Sequence, residues 1–217
     1  MKVLITAATA MELELIKSET IRYDGVEIIF YVTGVGAVST VFNLSEILHK
    51  EKFDIVIQVG IAGSFDKRLA LGDAVAVEKE LLYEMGVFEN NHYKTVFEMG
   101  LIDGDTKPFT SSTLINPHTV LLDLTGLKKA IAITNNEIST SATKIKLYNE
   151  KYGAEIESME GGAFHYVAIM KSISFIQLRG ISNYVGDRDK NNWKIKEAIL
   201  SYSDVCNQLI KKLMLSK

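Results

Sequence analysis

The sequence predicts an α/β fold in which a mostly parallel or mixed sheet is covered on both faces by helices. Three observations predict it. Short β-branched runs at residues 2–6, 26–33, 54–60, 73–82, 129–134 and 175–182 are interleaved with helical patterns, the order expected when strands are separated by covering helices. The 217 residues, 47% of them hydrophobic, suffice for one sizeable core and are short for two. Two prolines, no Ser- or Gly-rich stretch and no internal repeat leave no visible linker, so residues 1–217 read as one domain.

The first run, Met1-Lys2-Val3-Leu4-Ile5-Thr6, carries one charge and about three apolar residues, which suits a buried strand better than a signal peptide. No apolar run approaches the roughly 18 residues that span a bilayer. The expected compartment is the cytoplasm and no membrane partner is expected. Gly34-Val35-Gly36 ends the second run and opens a helix over 37–49. It falls short of a dinucleotide fingerprint, because Ser39 holds the third glycine position and Asp54 opens a strand instead of closing one. A tight turn with positive φ explains Gly34 better. Gly60-Ile61-Ala62-Gly63 closes the third run with bare backbone N–H groups at a carboxyl end, where open α/β sheets bind ligands. Residues 88–117 are polar and irregular, the mark of a functional loop region.

A strand-like stretch over 154–159 is followed at Glu160 by a helix with Gly161-Gly162-Ala163 in its first turn. In the last helix Ile195, Ile199, Tyr202, Cys206, Leu209 and Leu213 recur at three- or four-residue spacing, with Lys196, Glu197, Asp204, Lys211 and Lys212 turned away. Cys206 is the only cysteine and its place on the apolar face predicts a reduced core thiol.

The formal charge of −3, without a basic stripe, argues against nucleic acid as a partner and for a small metabolite. His49, His92, His118 and His165 are scattered without metal-ligand spacing, so no metal is expected. Neither a Gly-x-Ser-x-Gly elbow nor a phosphate-loop Gly-Lys-Ser is present. Three polar elements stand at strand exits: Glu12 about one helical turn after the first strand, Glu160 at a helix start, and Ser182-Asn183. Each has an ordinary explanation, dipole compensation for the two carboxylates and a strand-end turn for the asparagine. Strand exits of a parallel sheet can converge on one edge, however, and there the three would form a site.

These stretches resemble a known family. Ala10-Met11-Glu12-Leu13-Glu14, Gly34-Val35-Gly36, Gly60-Ile61-Ala62-Gly63, Leu71-Gly72-Asp73-Ala74-Val75-Ala76-Val77, Ser158-Met159-Glu160-Gly161-Gly162-Ala163 and Leu178-Arg179-Gly180-Ile181-Ser182-Asn183 are similar, in order, to the blocks of the purine nucleoside phosphorylase and methylthioadenosine/S-adenosylhomocysteine nucleosidase superfamily. Within it, Tyr83-Glu84-Met85-Gly86-Val87, Val96-Phe97-Glu98-Met99-Gly100 and Ser182-Asn183-Tyr184-Val185-Gly186-Asp187-Arg188 most resemble the futalosine hydrolases of the alternative menaquinone pathway. The resemblance implies a three-layer αβα fold with a central mixed, mostly parallel sheet, a homodimer, no cofactor, and a hypoxanthine nucleoside as substrate.

It also implies roles. Glu12 would orient and deprotonate the attacking water, Met159 and Glu160 would hold the ribose, and Ser182 and Asn183 the purine, with Ile61, Ala62 and Gly63 lining the nucleoside site. Two departures stand out, since the family's adenine nucleosidases carry aspartate at the position of Asn183 and serine at that of Ile61. Hydrolysis is implied over phosphorolysis: the family's bacterial phosphorylases place an arginine where this chain has Gln58, and their early phosphate-loop arginine gives way to the acidic 11–14 stretch. The alternatives are a methylthioadenosine/S-adenosylhomocysteine nucleosidase, a purine nucleoside phosphorylase, or a nucleoside-binding sensor, the last disfavoured by the retained Glu12 and Glu160. For an anionic aromatic tail on the substrate, Lys94, Lys107, Phe109 and Arg188 are chemically suitable.

Overall fold

The computed structural model describes residues 1–19, 25–89 and 92–215. Its elements are β1 (Lys2–Ala7), α1 (Ala10–Glu19), β2 (Glu27–Val32), α2 (Ala37–Lys50), β3 (Ile55–Ser64), β4 (Ala74–Leu81), β5 (Gly86–Glu89), β6 (His92–Thr95), β7 (Leu114–Ile115), α3 (Thr119–Thr125), β8 (Lys129–Thr134), α4 (Ala142–Lys146), β9 (Ile156–Ser158), α5 (Gly161–Lys171), β10 (Phe175–Tyr184) and α6 (Ile195–Leu215). Each predicted strand run is a strand. The helices expected over 37–49, from Glu160 and from Ile195 are α2, α5 and α6.

The large sheet is mixed and mostly parallel. β1 pairs in parallel with β2 and β3, β3 with β10, and β8 with both β4 and β9, whereas β10–β4, β3–β9 and β4–β7 are antiparallel. The path β10-β4-β8-β9-β3 closes on itself through the β3–β10 pairing. β1 and β3 are buried on both faces, as their unbroken β-branched runs require. Val3, Ile5, Ile55, Ile57 and Val59 pack with Leu13 of α1, Leu122 of α3 and Tyr202, Cys206 and Leu209 of α6. Leu4 and Val56, one step out of phase, pack with Leu44 of α2 and Phe164 and Val167 of α5. Successive side chains of a strand point to opposite faces, so α1, α3 and α6 cover one side and α2 and α5 the other. Each such fully buried side chain contributes about 1.5–3 kcal/mol. Cys206 is buried, and desolvation pushes its thiol up to about 12, which makes it an inert packing group.

Two expectations are corrected. The Gly60–Gly63 stretch does not close a strand; it lies inside β3, because β10 continues beside it to Tyr184. Ser182-Asn183 likewise lies within β10. The 88–117 region is also more ordered than its polarity suggests. β5 and β6 form an antiparallel hairpin, β7 adds to β4, and Phe109 stacks edge-on against Phe97 and Tyr166. Every residue of β5 is exposed and β6 buries only Thr95 fully, so the hairpin has too few buried positions to leave an apolar alternating pattern. Residues 90 and 91 of that region lie outside the described residues.

Candidate active site

The carboxyl ends of β1, β3, β9 and β10 surround a cavity of about 220 Å³. Glu12, Ile61, Ala62, Gly63, Met159, Glu160, Ser182 and Asn183 all line it, so every residue predicted for the site is brought to one place.

Glu12 serves two masters. Its Oε2 accepts from the backbone N–H and the hydroxyl of Thr9, at 3.0 and 2.8 Å, and its own N–H donates to Thr9 Oγ1. This is a capping box on α1, the ordinary first-turn role that the sequence allowed. Its Oε1 reaches across to accept from the backbone N–H of Ile61 at 3.1 Å, and that contact has no part in capping. The side chain is 5% exposed and thus held at both oxygens inside the cavity wall. Since the contact is to the backbone of Ile61, the side chain at that position is free to differ from serine.

Glu160 stands at the N-cap position of α5, just after β9, but its side chain makes no capping hydrogen bond to that helix. Its Oε1 accepts from the N–H of Gly36 at 3.0 Å, at the start of α2, where a φ of +86° suits glycine. Its Oε2 lies 3.6 Å from Arg179 Nη1. Arg179 in turn donates through Nη2 to Gln58 Oε1 at 2.9 Å and through Nη1 to the carbonyl of Ile61. Gly60 makes the approach possible: a Cβ there would run into the Arg179 guanidinium and stand 3.0 Å from Glu12 Oε1. Behind α5, Glu80 accepts from Gln177 and Thr134 at 2.9 Å, and Thr134 Oγ1 accepts from the N–H of Gly162. Desolvation raises the Glu80 carboxyl to about 7, with the Gln177 bond and the Arg179 charge opposing.

Asn183 owes its place to a β-bulge. The β10–β3 register runs Ile181 opposite Ala62 and then Asn183 opposite Gly63, so Ser182 is the extra residue and Asn183 takes the position that Ser182 would hold in an unbroken ladder. Ser182 Oγ donates to the Asn183 Oδ1 at 2.8 Å, and Asn183 Nδ2 donates one hydrogen to the Tyr184 carbonyl. The second Nδ2 hydrogen is the group that Asn183 can offer to a ligand.

Several residues that line or support the cavity were not picked out from the sequence. Thr9 was legible as the first member of the Thr-x-x-Glu capping spacing. Arg179, 1% exposed, and Glu157, 8% exposed, betray themselves only as charges inside apolar strand runs, where a buried charge demands a partner. Trp193 lines the cavity, with the Arg188 guanidinium 5.4 Å from its ring. Of the four residues suited to an anionic tail, Arg188 alone lines the cavity. Lys94 and Lys107 are exposed elsewhere and Phe109 is in the aromatic stack. Among the described residues no three His, Cys, Asp or Glu side chains are grouped to hold a metal ion, and no helix is long and apolar enough to cross a membrane.

Residues 12–214 match the model of the Phosphorylase superfamily. The chain belongs to that superfamily. It is 26% identical over 214 residues to a futalosine hydrolase of Thermus thermophilus, covering 95% of this chain and 94% of the relative. Its fold is similar to that of the adenine-bound methylthioadenosine/S-adenosylhomocysteine nucleosidase of Colwellia psychrerythraea, with a TM-score of 0.83, 17% identity and 98% and 96% of the two chains covered. A structure of futalosine hydrolase from Helicobacter pylori gives a TM-score of 0.80 at 15% identity, with 97% of each chain covered.

Proposed function

We propose that the protein hydrolyses the N-glycosidic bond of futalosine, releasing hypoxanthine and dehypoxanthinyl futalosine in menaquinone biosynthesis. The observation that carries this reading is the convergence of two buried carboxylates, Glu12 and Glu160, with Ser182 and Asn183 around one cavity, in a chain related along its length to a futalosine hydrolase. Breaking a nucleoside bond builds positive charge on the ribose and negative charge on the departing base. Glu160, oriented by Gly36 and Arg179, accepts the ribose hydroxyl hydrogens. Glu12 takes the proton of the attacking water as its oxygen bonds to C1′. The electron pair of the broken C–N bond leaves with the base, whose negative charge the free Nδ2 hydrogen of Asn183 stabilises.

Water, not phosphate, is the nucleophile. A phosphate site needs convergent anion donors, normally arginines. Of the four arginines, Arg22 lies outside the described residues, Arg68 pairs with Asp66 on the surface, Arg179 is committed to Gln58, Ile61 and Glu160, and Arg188 alone lines the cavity, one donor group where a phosphate site needs several. Gln58 thus occupies the arginine position of phosphorylases and anchors Arg179 instead. The same reading makes the protein a cytoplasmic, single-domain homodimer of three-layer αβα architecture. The exposed Val38, Phe42 and Met170 on the packed pair α2 and α5 support the dimer.

The test is incubation of the purified protein with futalosine, methylthioadenosine and inosine, with and without phosphate and a chelator, followed by detection of free base and sugar. Hypoxanthine released from futalosine without phosphate is the expected result. Ribose 1-phosphate-type products, activity lost to the chelator, or adenine release alone would overturn it.

A further inference from the structure

Glu80 is a carboxylate behind α5 to which the mechanism above gives no task. It stands on β4 and is 0% exposed. Burying a carboxylate is costly, and an apolar residue of similar size would fill a merely structural position at least as well. Its neighbours show what the charge is kept for.

The contacts of Glu80 lead to Glu160 by two routes. The first runs through Thr134, whose hydroxyl donates to Glu80 Oε2 at 2.9 Å and whose oxygen accepts from the N–H of Gly162 at 2.6 Å. That N–H is one of the donors left without an intrahelical partner at the start of α5, a helix with no side-chain cap of its own. The second route is direct packing. A Cβ on Gly161 would run into Glu80 Oε1 and Gln177 Nε2, and one on Gly162 into Leu82, so the two glycines let the helix start settle onto the carboxylate. Gly161 and Gly162 follow Glu160 directly in the chain. Where that turn is fixed, the backbone of Glu160 is fixed with it.

We propose that Glu80, in its ionised form, is a positioning residue for Glu160, setting through Thr134 and the Gly161-Gly162 turn the carboxylate that holds the ribose hydroxyls. The proposal rests on the ribose role given to Glu160 above, and not on the identity of the base. Ionised Glu80 accepts from Gln177 and Thr134 together. A protonated carboxyl accepts more weakly and sets its own hydroxyl against one of the two donors, so the hold on Thr134 slackens. Of the charged and titratable groups around it, Arg179 of β10 favours the ionised form and Glu160 opposes it, while desolvation is the largest influence and brings the carboxyl to about 7. His165 of α5 stands beside Gln177 and Arg179, and desolvation pushes its imidazole down to about 3, so it stays neutral. β7 presents the apolar Leu114 opposite Glu80. The grip on the ribose should therefore tighten as pH rises through neutrality.

The experiment measures kcat/KM on a purine ribonucleoside and on its 2′-deoxy form, from about pH 6 to about pH 8.5, for wild type, Glu80→Gln, Thr134→Val and Thr134→Ser. Removing a hydroxyl removes part of what Glu160 holds, so the ratio of the two rates reports the placing of Glu160, whereas a general loss of stability lowers both together. In wild type the ratio should rise through about pH 7. In Glu80→Gln it should be flat and, at the alkaline end, about tenfold lower, the size of one charge-assisted hydrogen bond. Thr134→Val should lower it likewise, and Thr134→Ser, which keeps the hydroxyl, should recover most of that loss. A folded Glu80→Gln variant with the wild-type ratio at every pH overturns the proposal. If that variant does not fold, a flat wild-type ratio or an unchanged ratio in Thr134→Val overturns it. Wild type that releases only adenine contradicts the function proposed above and leaves this comparison to be decided on the adenine nucleoside pair; wild type that cleaves neither purine nucleoside overturns both.

Discussion

The guanidinium of Arg179 stands 3.6 Å from the carboxylate of Glu160, with the two side chains 1% and 8% exposed. A buried ion pair is costly to break because the survivor is left charged and unpaired, typically at about 3–5 kcal/mol. Arg179→Met should therefore lower stability by about that amount in urea melts and also depress kcat/KM, since Glu160 loses its orienting partner. Arg179→Lys keeps the charge but not the fork that reaches Gln58 and Ile61, and should recover only part of both losses. A methionine variant as stable and active as wild type would show that the pair is not coupled.

Glu12→Gln should reduce kcat by about 10²-fold or more, because the amide cannot take a proton. It should also cost roughly 1–3 kcal/mol. Both oxygens of Glu12 accept hydrogen bonds, from Thr9 and from Ile61, and an amide would set one N–H₂ against a donor. Nucleoside binding, measured by calorimetry, should persist. Near-full turnover in this variant would reduce Glu12 to a helix cap.

Asn183→Asp should lower kcat/KM on the hypoxanthine nucleoside and shift the ratio towards its 6-amino counterpart. The free Nδ2 hydrogen disappears and an acceptor takes its place, a mismatch of roughly 1–3 kcal/mol with O6. The ratio, with the 5′ substituent held constant, is the quantity to measure. If it does not move, Asn183 does not read the base.

Glu80 should make stability depend on pH. Desolvation raises its folded carboxyl to about 7 from an ordinary 4.5, so between those values the folded chain binds more protons than the unfolded one. Its stabilising contribution is fully present below the ordinary value and is lost as pH rises through about 7, by at most about 1.4 kcal/mol per pH unit. Urea melts over this range should show the decline in wild type and a flatter profile in Glu80→Gln. Parallel profiles for the two proteins would contradict the assignment.

Phe42→Asp should convert a homodimer to monomer. Phe42 is 67% exposed on α2 and Met170 is 46% exposed on α5, an apolar surface that a second copy would cover in a symmetric assembly. Light scattering of both proteins gives the answer, and a monomeric wild type at micromolar concentration would rule the dimer out.

The amino-acid sequence by itself determined the strand and helix order, because burial on two faces or on one stripe imprints a period that survives without any partner in view: the unbroken Val3-Leu4-Ile5 run and the spacing of Tyr202, Cys206 and Leu209 are local facts. It also marked Glu12, Glu160 and Asn183 as polar groups at strand exits. Only the tertiary structure decided that these converge, that β3 and β10 run on past Gly60 and Ser182, and that a bulge sets Asn183 opposite Gly63. It alone joined Arg179 to Gln58 across 121 positions and Glu157 to Asn135 across 22. Such pairings are chosen by strand register and by the need of a buried charge for a partner, and neither is written in the neighbours of the residue concerned. The hairpin of β5 and β6 was illegible for the opposite reason: with every residue of β5 exposed and only the polar Thr95 of β6 fully buried, it had no apolar pattern to leave.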